Sequence, residues 1–171
     1  MKNKQNLLKL VYVSLVAALV CVATLIYLPL PIGYANLGDA VVLTAGFILG
    51  PISGGLAGGI GAALADLFAG YPQYIPATFV IKALVAVIAA LVYKSMLSGK
   101  KNGLVSRILA AVVAEAFMVL GYYVYEATVL SYGFGGALAS VAGNCTQALV
   151  CAAVAVVVLP AIQKIYEKIK K

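Results

Sequence analysis

The chain has no histidine, no tryptophan and only five acidic residues among 171. Without histidine, neither a Ser-His-Asp nor a Cys-His catalytic arrangement can be assembled, and the commonest metal ligand is missing. Charge is scarce: 10% of residues are charged, against about a quarter in an ordinary soluble domain. Cysteine is also scarce. Cys21, Cys145 and Cys151 each lie inside an apolar run with no Cys-x-x-Cys spacing. They read as small hydrophobes rather than a zinc site or a disulfide framework. No metal, cofactor or enzymatic activity is expected. What the chain has in abundance is apolar surface, with 64% hydrophobic residues and a mean hydropathy of +1.08. This is the composition of an integral membrane protein, read as one all-α domain over residues 1–171.

A spanning helix needs about 20 apolar residues. Six segments are expected, at about 7–28, 38–49, 52–69, 75–96, 104–130 and 134–165, and the second is short. Turn residues occupy the breaks at 30–37, 50–51, 70–75, 97–103 and 131–133. Two prolines in "PLPIGY" end the first segment, and Asp39 reads as a cap for the second. The N-terminal lysines and apolar run resemble a signal peptide, but no Ala-x-Ala site follows them. The first segment is therefore read as a retained helix.

Basic residues cluster at three places: Lys2, Lys4 and Lys9; Lys94, Lys100, Lys101 and Arg107; and Lys164, Lys168, Lys170 and Lys171. These are eleven of the twelve. With six crossings all three clusters share one side, and the opposite breaks at 30–37, 70–75 and 131–133 carry no lysine or arginine. The positive-inside rule then places both termini in the cytoplasm. Clusters at helix ends are a topology signal, so the net charge of +7 does not point to nucleic acid.

The remaining cation, Lys82, lies about two turns inside the fourth segment. It joins Asp66, Glu115, Glu126 and the pair Asn144 and Gln147 as polar groups that are costly in a bilayer and usually face a cavity or a partner. On the six-segment reading these groups concentrate in the outer half. Glu115, Tyr122 and Glu126 share one helical face, as do Ser140, Asn144 and Gln147. Gly54, Gly58, Ala62 and Asp66 form a small-residue stripe that lets a neighbouring helix approach and ends in an acid. Tyr71, Tyr74 and Tyr122 gather at the same level. Tyr123, Tyr125 and Tyr132 read better as an interfacial belt. Together these residues outline an outward-facing cup for a small polar heterocycle. Packing-only readings stand beside it: Lys82 paired internally with Asp66 or Glu115, and Asn144 and Gln147 holding helices together.

The stretches "NLGDA", "ADLFAGY", "PATFVIK", "EAFMVLGYYVYE" and "GNCTQ", in that order, resemble the substrate-binding S components of energy-coupling factor (ECF) vitamin transporters. The resemblance points to the branch for riboflavin, hydroxymethylpyrimidine or pyridoxine-type ligands. It implies a prokaryotic cell-membrane protein that binds a vitamin outside and delivers it with a transmembrane T component and two cytoplasmic ATPases. No Walker-type GxxxxGK[ST] is present in this chain. The ligand contacts implied for this sequence are Asn36, Asp66, Tyr71, Tyr74, Lys82, Glu115, Tyr122, Glu126, Asn144 and Gln147. Contact with the T component is implied for a small-residue face on the first helix, here Ser14 and Ala18 with Ala17 and Cys21 beside them, a departure from the family's Ala-x-x-x-Ala. The lack of tryptophan and the modest outer loops favour a single-ring ligand, hydroxymethylpyrimidine or a vitamin B6 form, over riboflavin, and three candidate acids against one lysine would tolerate an amine or a protonated ring nitrogen. The competing expectations are a stand-alone proton-coupled carrier, with Glu115 and Asp66 as proton sites, and a structural membrane protein.

Overall fold

The computed structural model describes residues 2–29, 34–98 and 103–169. Helix α1 (Lys2–Leu25) leads into a two-stranded antiparallel hairpin of β1 (Tyr27–Pro29) and β2 (Tyr34–Asn36). Helix α2 (Gly38–Ala69) follows, then a 3₁₀ turn (Pro72–Tyr74), α3 (Ile75–Ser98), α4 (Gly103–Thr128) and α5 (Gly133–Ile169). Five helices among the described residues are long and apolar enough to cross a membrane.

The first helix was expected to reach Leu28 but stops at Leu25. Pro29 cannot donate to a helix and disfavours helical geometry at Leu28, and Tyr27 instead pairs with Asn36. This small hairpin departs from a purely helical reading.

The second and third predicted segments run together as α2, but the helix is not straight. Gly50 has φ 81° and ψ −178°, outside helical geometry, and Pro51 follows it. A methyl placed on Gly58 would lie 3.1 Å from Cγ1 of Val42, whereas sixteen residues of straight helix span about 24 Å. The chain therefore folds back at Gly50 into two antiparallel arms, residues 38–49 and 51–69. Glycine tolerates the left-handed φ there, and proline starts the second arm without needing a donor.

The second arm packs in the middle of the bundle, and its small residues make this possible. A methyl at Gly61 would meet the Ala17 carbonyl oxygen of α1 at 2.3 Å, and one at Gly59 would meet the Phe79 carbonyl oxygen of α3 at 2.7 Å. Around it Val20, Val42, Leu43, Val85, Met118 and Leu159 are fully buried among alanines of α3 and α4. Large aliphatic side chains such as Leu15, Ile52, Leu120, Leu149 and Val157 face outward, as expected where the solvent is lipid.

Arg107 donates to the Val156 carbonyl at 3.2 Å, so the start of α4 and the last third of α5 meet at one end of the bundle. The hairpin, the 3₁₀ turn and the start of α5 lie at the other. The breaks at 30–33 and 99–102, and Lys100, Lys101, Lys170 and Lys171, lie outside the described residues.

Candidate functional site

At the hairpin end, all five helices, β2 and the 3₁₀ turn contribute to a cavity of about 450 Å³. Nine of the ten residues expected to touch ligand line it: Asn36, Asp66, Tyr71, Tyr74, Lys82, Tyr122, Glu126, Asn144 and Gln147. The chain path explains the convergence. Asp66 ends the second arm of α2, and the αL residue Gly70 turns the chain so that Tyr71 and Tyr74 follow at the rim. Tyr74, at the end of the 3₁₀ turn, and Thr78 and Lys82 on α3 then succeed one another at intervals of four. Tyr122 and Glu126 do the same on α4. Ser140, Asn144 and Gln147 line the first turns of α5.

The floor is a buried polar network. Lys82 Nζ donates to Asp39 Oδ1 at 2.6 Å and Oδ2 at 2.7 Å. The Asp39 carboxylate is 1% exposed. Gln147 Nε2 donates to Asp39 Oδ2 at 2.7 Å, and Gln147 Oε1 accepts from Asn36 Nδ2 at 2.9 Å. One chain of contacts thus ties β2, α5, α2 and α3 together. Lys82 Nζ also lies 5.2 Å from the centre of the Tyr122 ring, and Tyr122 donates to Thr78 Oγ1 at 3.0 Å.

Two expectations are corrected here. Asp39 is not a helix cap: the residue before α2 is Leu37, which makes no capping bond, and Asp39 turns inward. In a low-dielectric interior, neutralising a buried ammonium outweighs capping amides that water or the preceding turn can satisfy. The internal partner of Lys82 is therefore Asp39, rather than Asp66 or Glu115.

The walls are less occupied. Tyr74 donates to Glu126 Oε1 at 3.2 Å, and Ser140 donates to Glu126 Oε2. Asp66 Oδ2 is buried with no hydrogen-bond partner among the described residues. Asn144 makes no side-chain hydrogen bond among those residues. Tyr74 packs against Tyr71, Tyr122 and Tyr125 with ring centres 6.0–6.5 Å apart. The cavity therefore presents acids, an amide and aromatic faces, and its single cation is already neutralised.

Glu115 is the exception among the ten. It is 2% exposed and lines a separate apolar groove between α4 and α5. Its seven-residue spacing to Tyr122 is right, but α5 packs over that stretch of the face and separates it from the cavity. Thr24, Thr78, Ser140 and Gly143 also line the cavity and were absent from the expected set. Thr78 was discoverable from its four-residue spacing to Tyr74 and Lys82; Ser140 was expected on one face with Asn144 and Gln147, though not as a ligand contact. Thr24 had no such signal. Of the face expected to meet a partner, Ser14 and Ala18 are exposed, whereas Ala17 and Cys21 are buried, Ala17 directly beneath Gly61.

The chain matches the family described as ECF-type riboflavin transporter, S component, over residues 4–164. It is also 39% identical over 127 residues to an "uncharacterized protein in gap 3'region" of Pyrococcus woesei, covering 73% of this chain and 80% of that protein. Nearly the whole length is thus shared with a family of transporter subunits, and the polar cavity among membrane helices is the feature such a subunit requires. The chain belongs to the ECF-type riboflavin transporter S-component family, the substrate-binding membrane subunits of ECF vitamin transporters.

Proposed function

We propose that this chain is the high-affinity binding subunit for a single-ring, nitrogen-containing vitamin or precursor, hydroxymethylpyrimidine or a vitamin B6 form. The observation that carries this reading is the charge balance of the cavity. Among the described residues, its one cation is committed to Asp39 at 2.6 Å, while Asp66 Oδ2 is buried without a hydrogen-bond partner. A ligand bringing an exocyclic amine or a protonated ring nitrogen supplies the missing donor, because leaving a buried acceptor unmade costs about 1–3 kcal/mol. Tyr71, Tyr74 and Tyr122 offer ring faces for stacking, and Asn36, Lys82, Glu126, Asn144 and Gln147 frame the edges. The volume of about 450 Å³ lies in the range of small-molecule sites. Riboflavin is the second reading, favoured by the description of the matching family.

The fold-back at Gly50 makes six helical segments of the five long helices, and the reading takes them as six crossings. The first arm of α2 is only twelve residues, about 18 Å; the extended hairpin before it covers the remaining depth. Both termini then lie in the cytoplasm with the lysine clusters, and the cavity opens outward. Uptake requires a T component and two ATPases, and Ser14 and Ala18, exposed on α1, are the residues placed for T-component contact.

Thermal-shift and native mass spectrometry of the purified chain against hydroxymethylpyrimidine, pyridoxine, pyridoxal and riboflavin test the ligand. Stabilisation by a single-ring vitamin that disappears in Asp66→Asn is the expected result. Stabilisation by riboflavin alone selects the second reading. No shift with any of them, together with proton-driven uptake by vesicles holding this chain alone, would overturn the assignment in favour of a stand-alone carrier.

A further inference from the structure

The groove between α4 and α5 lies outside the polar cavity and has a different character. Its volume is about 610 Å³, within the range of sites that hold small molecules. Val112, Val119, Leu138, Val141 and Leu149 make its walls, and both flanking helices are apolar enough to span the membrane. In these walls sits one acid, Glu115, near the middle of α4. The residue is 2% exposed, and neither Oε1 nor Oε2 has a hydrogen-bond partner among the described residues. Lys82 makes no hydrogen bond to it, because that ammonium donates to both oxygens of Asp39, although the Lys82–Asp39 pair lies close enough to act on Glu115 through its field.

An acid in hydrocarbon without a partner is costly, and so is a cation. The two together offset one another if they meet in the same low-dielectric pocket. We propose that the α4–α5 groove is a second binding site, reached from the lipid phase, for a hydrophobic amine whose ammonium pairs with Glu115 while its apolar body fills the groove. Three features specify this occupant. The aliphatic walls exclude the polar vitamins suited to the other cavity, the mid-helix depth selects molecules that partition into lipid, and the orphaned carboxyl selects an N–H donor over a plain hydrocarbon. The site does not depend on the vitamin assignment, because Glu115 takes no part in lining the polar cavity.

The test uses the full chain in lipid nanodiscs with dodecylamine and dodecanol as probes. Dodecylamine should raise the unfolding temperature of the wild type in a saturable way, and dodecanol should bind at least about tenfold more weakly. Glu115→Gln, which keeps the shape of the side chain, should abolish the difference between the two probes. A second readout covers a variant that folds poorly. Dicyclohexylcarbodiimide adds a carboxylic acid across its C=N bond and is retained on the protein as the N-acylurea. Dodecylamine should protect Glu115 of the wild type from this modification, located by peptide mass spectrometry, and dodecanol should not. Equal effects of amine and alcohol, equal amine binding by Glu115→Gln, or no protection of Glu115 would each overturn the proposal.

Discussion

Lys82→Met removes an ammonium that lies 2.6 Å from Asp39 and leaves a carboxylate that is 1% exposed with Gln147 Nε2 as its remaining side-chain donor, at 2.7 Å. Deleting one member of a buried pair typically costs about 3–5 kcal/mol, because the survivor is an uncompensated charge. Asp39→Asn alone strands the ammonium instead and should cost a similar amount. Combining the two removes both charges, and the asparagine keeps an oxygen that can accept from Gln147. The double variant should then lose only the net value of the broken hydrogen bonds, about 1–2 kcal/mol. It should therefore be more stable than either single variant, with a coupling energy of several kcal/mol. The assay is reversible unfolding of the purified protein in mixed micelles by titration with sodium dodecyl sulfate, followed by far-UV circular dichroism. If the double variant loses the sum of the two single effects to within about 0.5 kcal/mol, the two side chains are not coupled and the ion-pair floor of the cavity is refuted.

Three further outcomes follow from the same geometry. Asp66→Asn and Glu126→Gln should each weaken vitamin binding by about 10–100-fold, the value of a charge-assisted hydrogen bond, and Glu126→Gln, which loses one of the two acceptors used by Tyr74 and Ser140, should also cost about 1 kcal/mol of stability; equilibrium dialysis with labelled ligand measures the binding. Gly61→Ala forces a methyl to within 2.3 Å of the Ala17 backbone oxygen and should cost about 1–3 kcal/mol of stability by overpacking, whereas Gly103→Ala, with nothing among the described residues within 4 Å, should not; the same detergent titration compares them. A membrane-permeable maleimide should label exposed Cys145 in the folded protein and reach the buried Cys21 and Cys151 only after unfolding, as read by intact-mass spectrometry.

Much of the polar cavity was legible in the sequence because charge is expensive in a bilayer. In a chain this apolar, each buried acid, amide or lysine needs a reason to be there, so listing the costly residues nearly lists the site. Spacing added the rest of what was visible: the i, i+4 and i+7 series put Ser140, Asn144 and Gln147 on one face of α5. The same rule failed at Glu115. Helical spacing says which residues share a face, but a long face can meet two environments, and α5 divides that of α4 into a polar cavity and an apolar groove. It failed at Asp39 for the opposite reason. An acid in the first turn of a helix has a local explanation, so the sequence offered no cause to seek a partner 43 residues away.

By itself the sequence determined the solvent and which polar residues are costly there, because hydropathy and the cost of polar groups are local quantities that each residue carries regardless of its neighbours. Tertiary structure decided which groups meet. The fold-back at Gly50, the glycine contacts that sink the second arm of α2 into the bundle, the pairing of Lys82 with Asp39, and the assignment of Ala17 and Cys21 to the interior all depend on distances between segments far apart in the chain. Such distances are set by packing of whole helix faces against one another, and no local pattern encodes them.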